Sequence, residues 1–129
     1  ELMVARLSFV LISLLIPNFG VAQNYSTSTV ETAQGVAAEL RLLDKVAGKA
    51  TDVTLQLGDV YTLGKLRIIM GECRYPVANP AGDAYAFLTI LSQDRKMQYF
   101  SGWMIASSPA LNALDHVRYD VWPLRCTIS

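Results

Sequence analysis

The stretch Ala84-Tyr85-Ala86-Phe87-Leu88-Thr89-Ile90-Leu91 is apolar at every position but Thr89. After the polar run Ser92 to Lys96 comes Gln98-Tyr99-Phe100-Ser101-Gly102-Trp103-Met104-Ile105. Runs of this length, rich in aromatic and branched side chains and joined by a short polar turn, predict two paired β-strands. The first is apolar on both of its alternating faces, as a central strand covered on both sides would be. In the second, Tyr99, Trp103 and Ile105 share one face and Phe100, Gly102 and Met104 the other, with Gly102 placed to let the Trp103 ring lie against backbone.

Working toward the N-terminus, 74–83 holds Pro76, Asn79, Pro80 and Gly82 and reads as an irregular loop. In 65–73, Leu66, Ile68 and Met70 share a face that strict alternation denies to Cys73, so a one-residue bulge near Gly71 is expected. Val60 to Leu63 forms a short strand closed by Gly64, and Val53, Leu55 and Leu57 alternate with polar residues in another. Leu40 and Leu42 alternate with Glu39 and Arg41, and the turn Ala47-Gly48-Lys49 follows. Toward the C-terminus, Ser108-Pro109 opens a helical signal over 108–115, a cap and a proline at the first helical position with Leu111 and Leu114 on one side. Tyr119 to Ile128 closes the domain with Trp122, Leu124, Cys126 and Ile128 on one face, and Pro123 confines that strand to an edge or a bulge. The expected fold is all-β: a small antiparallel sandwich or partly closed barrel of about seven strands with one short helix.

The N-terminus reads differently. Arg6, the apolar run Leu7 to Ile16, Pro17 and then Gly20-Val21-Ala22 match a secretory leader, with cleavage expected after Ala22. A membrane anchor is the rival reading, but the run is about half the roughly 20 residues that a spanning helix needs. Residues 23–37 are mostly Ser, Thr, Asn, Gln and small residues and read as a flexible linker, leaving 38–129 as a single β domain. Export to the periplasm would place Cys73 and Cys126 in an oxidising compartment, where a disulfide is expected and two buried free thiols are the alternative. Such a bridge is worth about 4 kcal/mol in the chain-entropy model.

Eleven basic against eleven acidic side chains give no net charge, which argues against a nucleic-acid partner. Hydrolytic chemistry would have to come from Ser107, Ser108, Asp115, His116 and Asp120, around the chain's one histidine. Sequence neighbours such as Asp115 and His116 rarely point at each other, and neither serine sits in a nucleophile elbow, so no catalytic residue is assigned and no enzyme is expected. One histidine with two aspartates makes at best an incomplete metal site, and no phosphate loop occurs, so no metal and no cofactor are expected. Among the aromatics, Tyr99, Trp103, Tyr119 and Trp122, with His116, form the candidate interaction surface, with core packing as the alternative use of each.

The segments Phe100-Ser101-Gly102-Trp103-Met104, Ala106-Ser107-Ser108-Pro109-Ala110-Leu111, His116, Tyr119-Asp120-Val121-Trp122 and Cys126 resemble an alphaproteobacterial family known as domain of unknown function twenty-one fifty-five. Leu43-Asp44-Lys45, Leu66, Ile68 and Cys73 extend the resemblance, which covers about Leu40 to Cys126. It implies a leader, one small domain and a paired cysteine, and it carries no activity. Genes of this family often neighbour one for a small accessory subunit of proton-pumping NADH:quinone oxidoreductase. The expectation is therefore a non-enzymatic periplasmic domain that binds a protein partner in a membrane or envelope complex. A small-ligand or envelope-glycan module is the alternative, and it requires Trp103 or Trp122 in a groove rather than on a flat apolar patch.

Overall fold

The computed structural model describes residues 13–18, 20 and 29–129. Most of the segment expected to be a leader, the cleavage point expected after Ala22 and residues 23–28 of the expected linker lie outside the described residues. Eight strands follow: β1 Thr32–Gln34, β2 Ala37–Asp44, β3 Lys49–Gln56, β4 Val60–Leu63, β5 Leu66–Pro76, β6 Tyr85–Ser92, β7 Gln98–Ile105 and β8 Tyr119–Thr127. All neighbours pair antiparallel. A five-stranded sheet runs β1-β5-β6-β7 with β4 also on β5, and a three-stranded sheet runs β3-β2-β8. The sheets face each other as an open sandwich and do not close into a barrel.

The count is eight strands rather than seven because β1 lies within 23–37, the segment read as a linker. Its three residues have little to bury, but they pair with Arg74, Tyr75 and Pro76, which the sequence reading had given to a loop. Tertiary pairing supplies what composition lacks.

The core is the space between the sheets. Leu40 and Leu42 from β2, Ile68 and Met70 from β5, Leu88 and Ile90 from β6, and Met104 from β7 are almost wholly buried. The alternation read from the sequence places them on the inner faces. The bulge expected at Gly71 is present, since the β5–β6 register shifts between Met70 and Glu72 and returns Cys73 to the core.

Cys73 and Cys126 form a disulfide that joins β5 of one sheet to β8 of the other, with Cα atoms 5.8 Å apart. Beside it the chain crosses between the sheets at Gly35, whose N–H donates to Cys73 O at 2.7 Å while Val36 N–H donates to Thr127 O at 2.8 Å. A Cβ on Gly35 would sit 2.8 Å from Thr127 O and 3.0 Å from Cys126 Cβ. Only glycine fits the crossing.

Two further expectations are corrected. No helix forms over 108–115: Leu111 N–H donates back to Ser108 O, the spacing of a single turn, and the chain then runs irregularly. Eight residues are too few for a helix to hold itself without packing. Packing here pulls the two leucines apart, burying Leu114 to 5% exposure and leaving Leu111 at 74%. In β8 the buried face is Tyr119, Val121 and Pro123, not that of Trp122. The β2–β8 register shifts between Glu39 and Leu40, which places Leu124 in a bulge and turns Cys126 inward opposite Ala38. Pro123, on an edge strand and beside a bulge as its missing N–H requires, sets this switch.

Candidate functional site

Each candidate aromatic takes its place from the strand that carries it. Trp103 stands on the outer face of the five-stranded sheet, directly opposite Phe87 in the β6–β7 register. Their rings meet edge to face at 5.4 Å, an attractive arrangement for two aromatic quadrupoles. Beyond its chain neighbours, the atoms that a Cβ on Gly102 would meet belong to Asn112 and Phe100.

Cross-strand partners share a face, so the register gives the composition of that outer surface. Val60, Ile69, Thr89 and Ser101 make one row, and Glu72, Phe87 and Trp103 the next. Arg74, Tyr85 and Ile105 make a third, while Arg67 lies opposite Leu91. The face thus holds an apolar cluster of Phe87, Trp103, Tyr85 and Ile105 beside a hydroxyl pair, Thr89 and Ser101, hydrogen-bonded at 3.2 Å. Charges stand at its margin, where Arg74 pairs with Glu72 at 3.0 Å and also donates to Thr32. Trp103 is 38% exposed, and Phe87, Tyr85 and Ile105 are half-buried, with no layer of the described chain above them. The strand read as covered on both sides is covered by a second sheet on one side only.

The outer face of the three-stranded sheet is built otherwise. Arg41 makes a two-pronged contact with Asp52, Nε to Oδ1 at 2.9 Å and Nη2 to Oδ2 at 3.0 Å, and Arg125 pairs with Glu39. The Asp52 carboxyl is held below the ordinary range, first by the hydrogen bond from Arg41 and then by its charge against desolvation. Trp122 lies opposite Arg41 on this charged face, half-buried and far in register from Trp103.

Tyr99, His116 and Tyr119 do come together, at one end of the sandwich. His116 Nδ1 accepts the backbone N–H groups of Arg118 at 3.1 Å and Tyr119 at 3.2 Å, which assigns the ring hydrogen to Nε2. The imidazole meets Tyr99 edge to face at 4.9 Å and stacks on Tyr119 at 5.4 Å. Arg118 lies 5.3 Å over the Tyr119 ring, within cation–π range. Tyr119 itself is buried, a core residue more than a surface one. Its hydroxyl occupies the space where Gly64, at φ +56°, has no side chain.

The 116–118 loop is clamped by two residues that sequence reasoning gave no role. Asp44 accepts the N–H groups of Val46 and Ala47, each at 3.0 Å, and takes Arg118 Nη2 at 2.9 Å. The hydrogen bond from Arg118 is the main reason the Asp44 carboxyl is lowered to about 2, helped by the two backbone bonds. Lys45 donates through Nζ to His116 O at 2.7 Å and through its backbone to Arg118 O at 2.8 Å. Asp ahead of a turn of small residues is an Asx-turn signal; the Arg118 bond across 74 positions leaves no local trace.

The remaining catalytic candidates are dispersed. Ser107 gives its hydroxyl to Asp83 at 2.6 Å, and Asp120 lies 3.9 Å from Lys45. Asn112 donates to Trp103 O at 2.7 Å, tying the 106–112 turn to the free edge of β7. Among the described residues no three His, Cys, Asp or Glu side chains gather as a metal site, and no helix is long and apolar enough to cross a membrane.

A family model described as an uncharacterized protein conserved in bacteria, DUF2155, matches residues 38–126. The chain is also similar to an uncharacterized protein of Rickettsia prowazekii, 25% identical over 88 residues, covering 65% of this chain. The chain spans 56% of that relative's length. No solved structure matches it.

Proposed function

The chain belongs to the bacterial family DUF2155, uncharacterized and conserved in bacteria, and from that premise we propose that it is a non-enzymatic, exported domain that docks on a protein partner in the cell envelope. The single observation that carries this reading is the asymmetry of the two outer faces. One is laced with ion pairs, Arg41 with Asp52 and Arg125 with Glu39, as a solvent face is. The other presents Phe87, Trp103, Tyr85 and Ile105, with Ile69, Val60 and the hydrogen-bonded Thr89–Ser101 pair beside them, and its charges, Glu72, Arg74 and Arg67, stand at the margin. An apolar centre with an aromatic anchor and a polar rim is the anatomy of a protein interface.

The site chemistry supports the absence of catalysis. Both His116 Nδ1 and the Ser107 hydroxyl are engaged by structural partners, so no base–nucleophile pair is assembled from the candidates. The leader-like pattern of residues 6–22 supports a periplasmic location, and the gene neighbourhood of the resembling family favours a membrane complex such as NADH:quinone oxidoreductase, where the domain would act as an accessory or assembly component. Neither tryptophan lines the groove at the His116 end, which disfavours a glycan module built on them.

Affinity purification of the tagged protein from gently solubilised native membranes tests the proposal. The wild type should bring down a membrane complex in stoichiometric amount. Trp103→Ser should lose it while still unfolding in one cooperative transition, because the Trp103 ring packs on Phe87 of the outer face and not in the core between the sheets. Undiminished recovery with Trp103→Ser would overturn the reading.

A further inference from the structure

A groove of about 810 Å³ opens at the end of the sandwich where the β4–β5 turn, the β6–β7 turn and the 116–119 loop meet. That volume falls within the range of small-molecule sites. It shares no residue with the Phe87–Trp103 face, and its chemistry is different.

The polar groups that line it are mostly donors without an internal acceptor. His116 uses Nδ1 for the backbone, so Nε2 carries hydrogen and faces no acceptor in the hydrogen bonds of the described residues. Arg118 gives Nε and Nη2 to Asp44, which leaves Nη1 over. The Lys65 ammonium enters none of the ion pairs of the described residues, and only its carbonyl is engaged, by Gln93 N–H at 2.8 Å. The acidic member of the lining, Asp94, is turned into its own turn: Oδ1 accepts the Ser92 hydroxyl at 2.5 Å and Lys96 N–H at 3.0 Å. The Ser92 hydrogen bond, first among its causes, holds that carboxyl below its ordinary range.

Apolar surface supplies the other half of the lining. Met97 and Val117 stand 57% and 91% exposed at the groove, beside the half-buried Tyr99 ring. Unpaired donors next to uncovered apolar side chains complement a molecule with an anionic head and an apolar body. We propose that this groove binds a small amphiphilic anion, a short chain or ring ended by a carboxylate or phosphate. Lys65, Arg118 Nη1 and His116 Nε2–H take the head, and the body lies along Tyr99, Met97 and Val117. Lys65 and Arg118 are balanced formally by Asp94 and Asp44, so directed hydrogen bonds rather than net field select the anion.

The test is titration of the isotope-labelled full chain with hexanoate, hexyl phosphate and hexanamide, followed by amide NMR shifts. Either anion should give saturable shifts confined to 64–66, 92–99 and 116–119, and the tighter of the two names the head group. Hexanamide and the Lys65→Gln variant should each bind about tenfold more weakly. Trp103→Ser should bind as the wild type does, which separates this site from the partner face. Equal binding of hexanamide, an unchanged affinity in Lys65→Gln, or shifts that neither saturate nor cluster would overturn the proposal. Lys65→Gln keeps the backbone carbonyl that Gln93 uses, so its fold is maintained and a loss reports on the ammonium.

Discussion

Asp44 ties two loops of this fold together through its carboxylate. It closes the β2–β3 turn through Val46 and Ala47 and holds Arg118, the residue before its ladder partner Tyr119 on the neighbouring strand β8. Because its folded-state carboxyl is lowered to about 2 from an ordinary 3.8, the ionised form is the one that folding favours. Its contribution is therefore complete above about pH 4 and is lost as pH falls toward 2. Thermal melts across that window should show the wild type losing stability more steeply than Asp44→Asn, which has already forfeited the carboxylate. Parallel curves would contradict the assignment. Asp52 and Asp94 are lowered as well and will keep some acid dependence in the variant. At this scale the sequence was partly legible. His116 stood out as the chain's one histidine, but its task, accepting two backbone N–H groups, depends on a loop conformation that no local pattern encodes. Replacing it with alanine should strand those donors at a cost of about 1 kcal/mol, read as a shift in the denaturant midpoint.

At the scale of elements, seven of the strands and the Gly71 bulge were legible, several from period-2 alternation and 84–91 from its continuous apolar run, because a strand that buries a face must carry apolar residues at that spacing. It missed β1, whose three residues carry no pattern and are held by pairing to β5. It also turned β8 over, since the bulge at Leu124 reverses the alternation halfway along the strand. The helix expected over 108–115 rested on a cap and a proline, signals that start a helix but cannot sustain one without an apolar stripe that stays together. The cysteine pair was legible from the count and the expected oxidising compartment, and the structure shows why it matters: it staples the two sheets across 53 positions. Reduction or Cys126→Ser should cost about 4 kcal/mol in chemical denaturation, the loop-entropy value for a ring of that size. A midpoint indifferent to reductant would refute this. Gly35→Ala should also destabilise, by about 1–3 kcal/mol, because the added methyl collides with Thr127 O and the disulfide's own Cβ and the crossing must shift.

For the whole molecule, the informative property is that its two outer surfaces differ. The run 84–91, apolar on both faces, announced this in the sequence, but it was read as a strand between two layers because burial on both sides is the usual reason for such a run. The structure places a sheet on one side and leaves the other to Phe87, Tyr85 and Leu91, joined by Trp103 and Ile105 of β7. An uncovered apolar face is a liability unless something occupies it. The free edge of β7 is partly protected, with Asn112 on Trp103 O and Ser108 N–H on Ile105 O, so face contact rather than strand addition is the accessible mode. A direct measurement is site-specific photo-crosslinking in living cells, with a photoreactive side chain placed at Trp103 in one strain and at Thr54, on the polar outer face of β3, in another. A discrete adduct from position 103 and none from position 54 is the predicted result. No adduct at 103, or equal adducts at both, would contradict a partner-binding face.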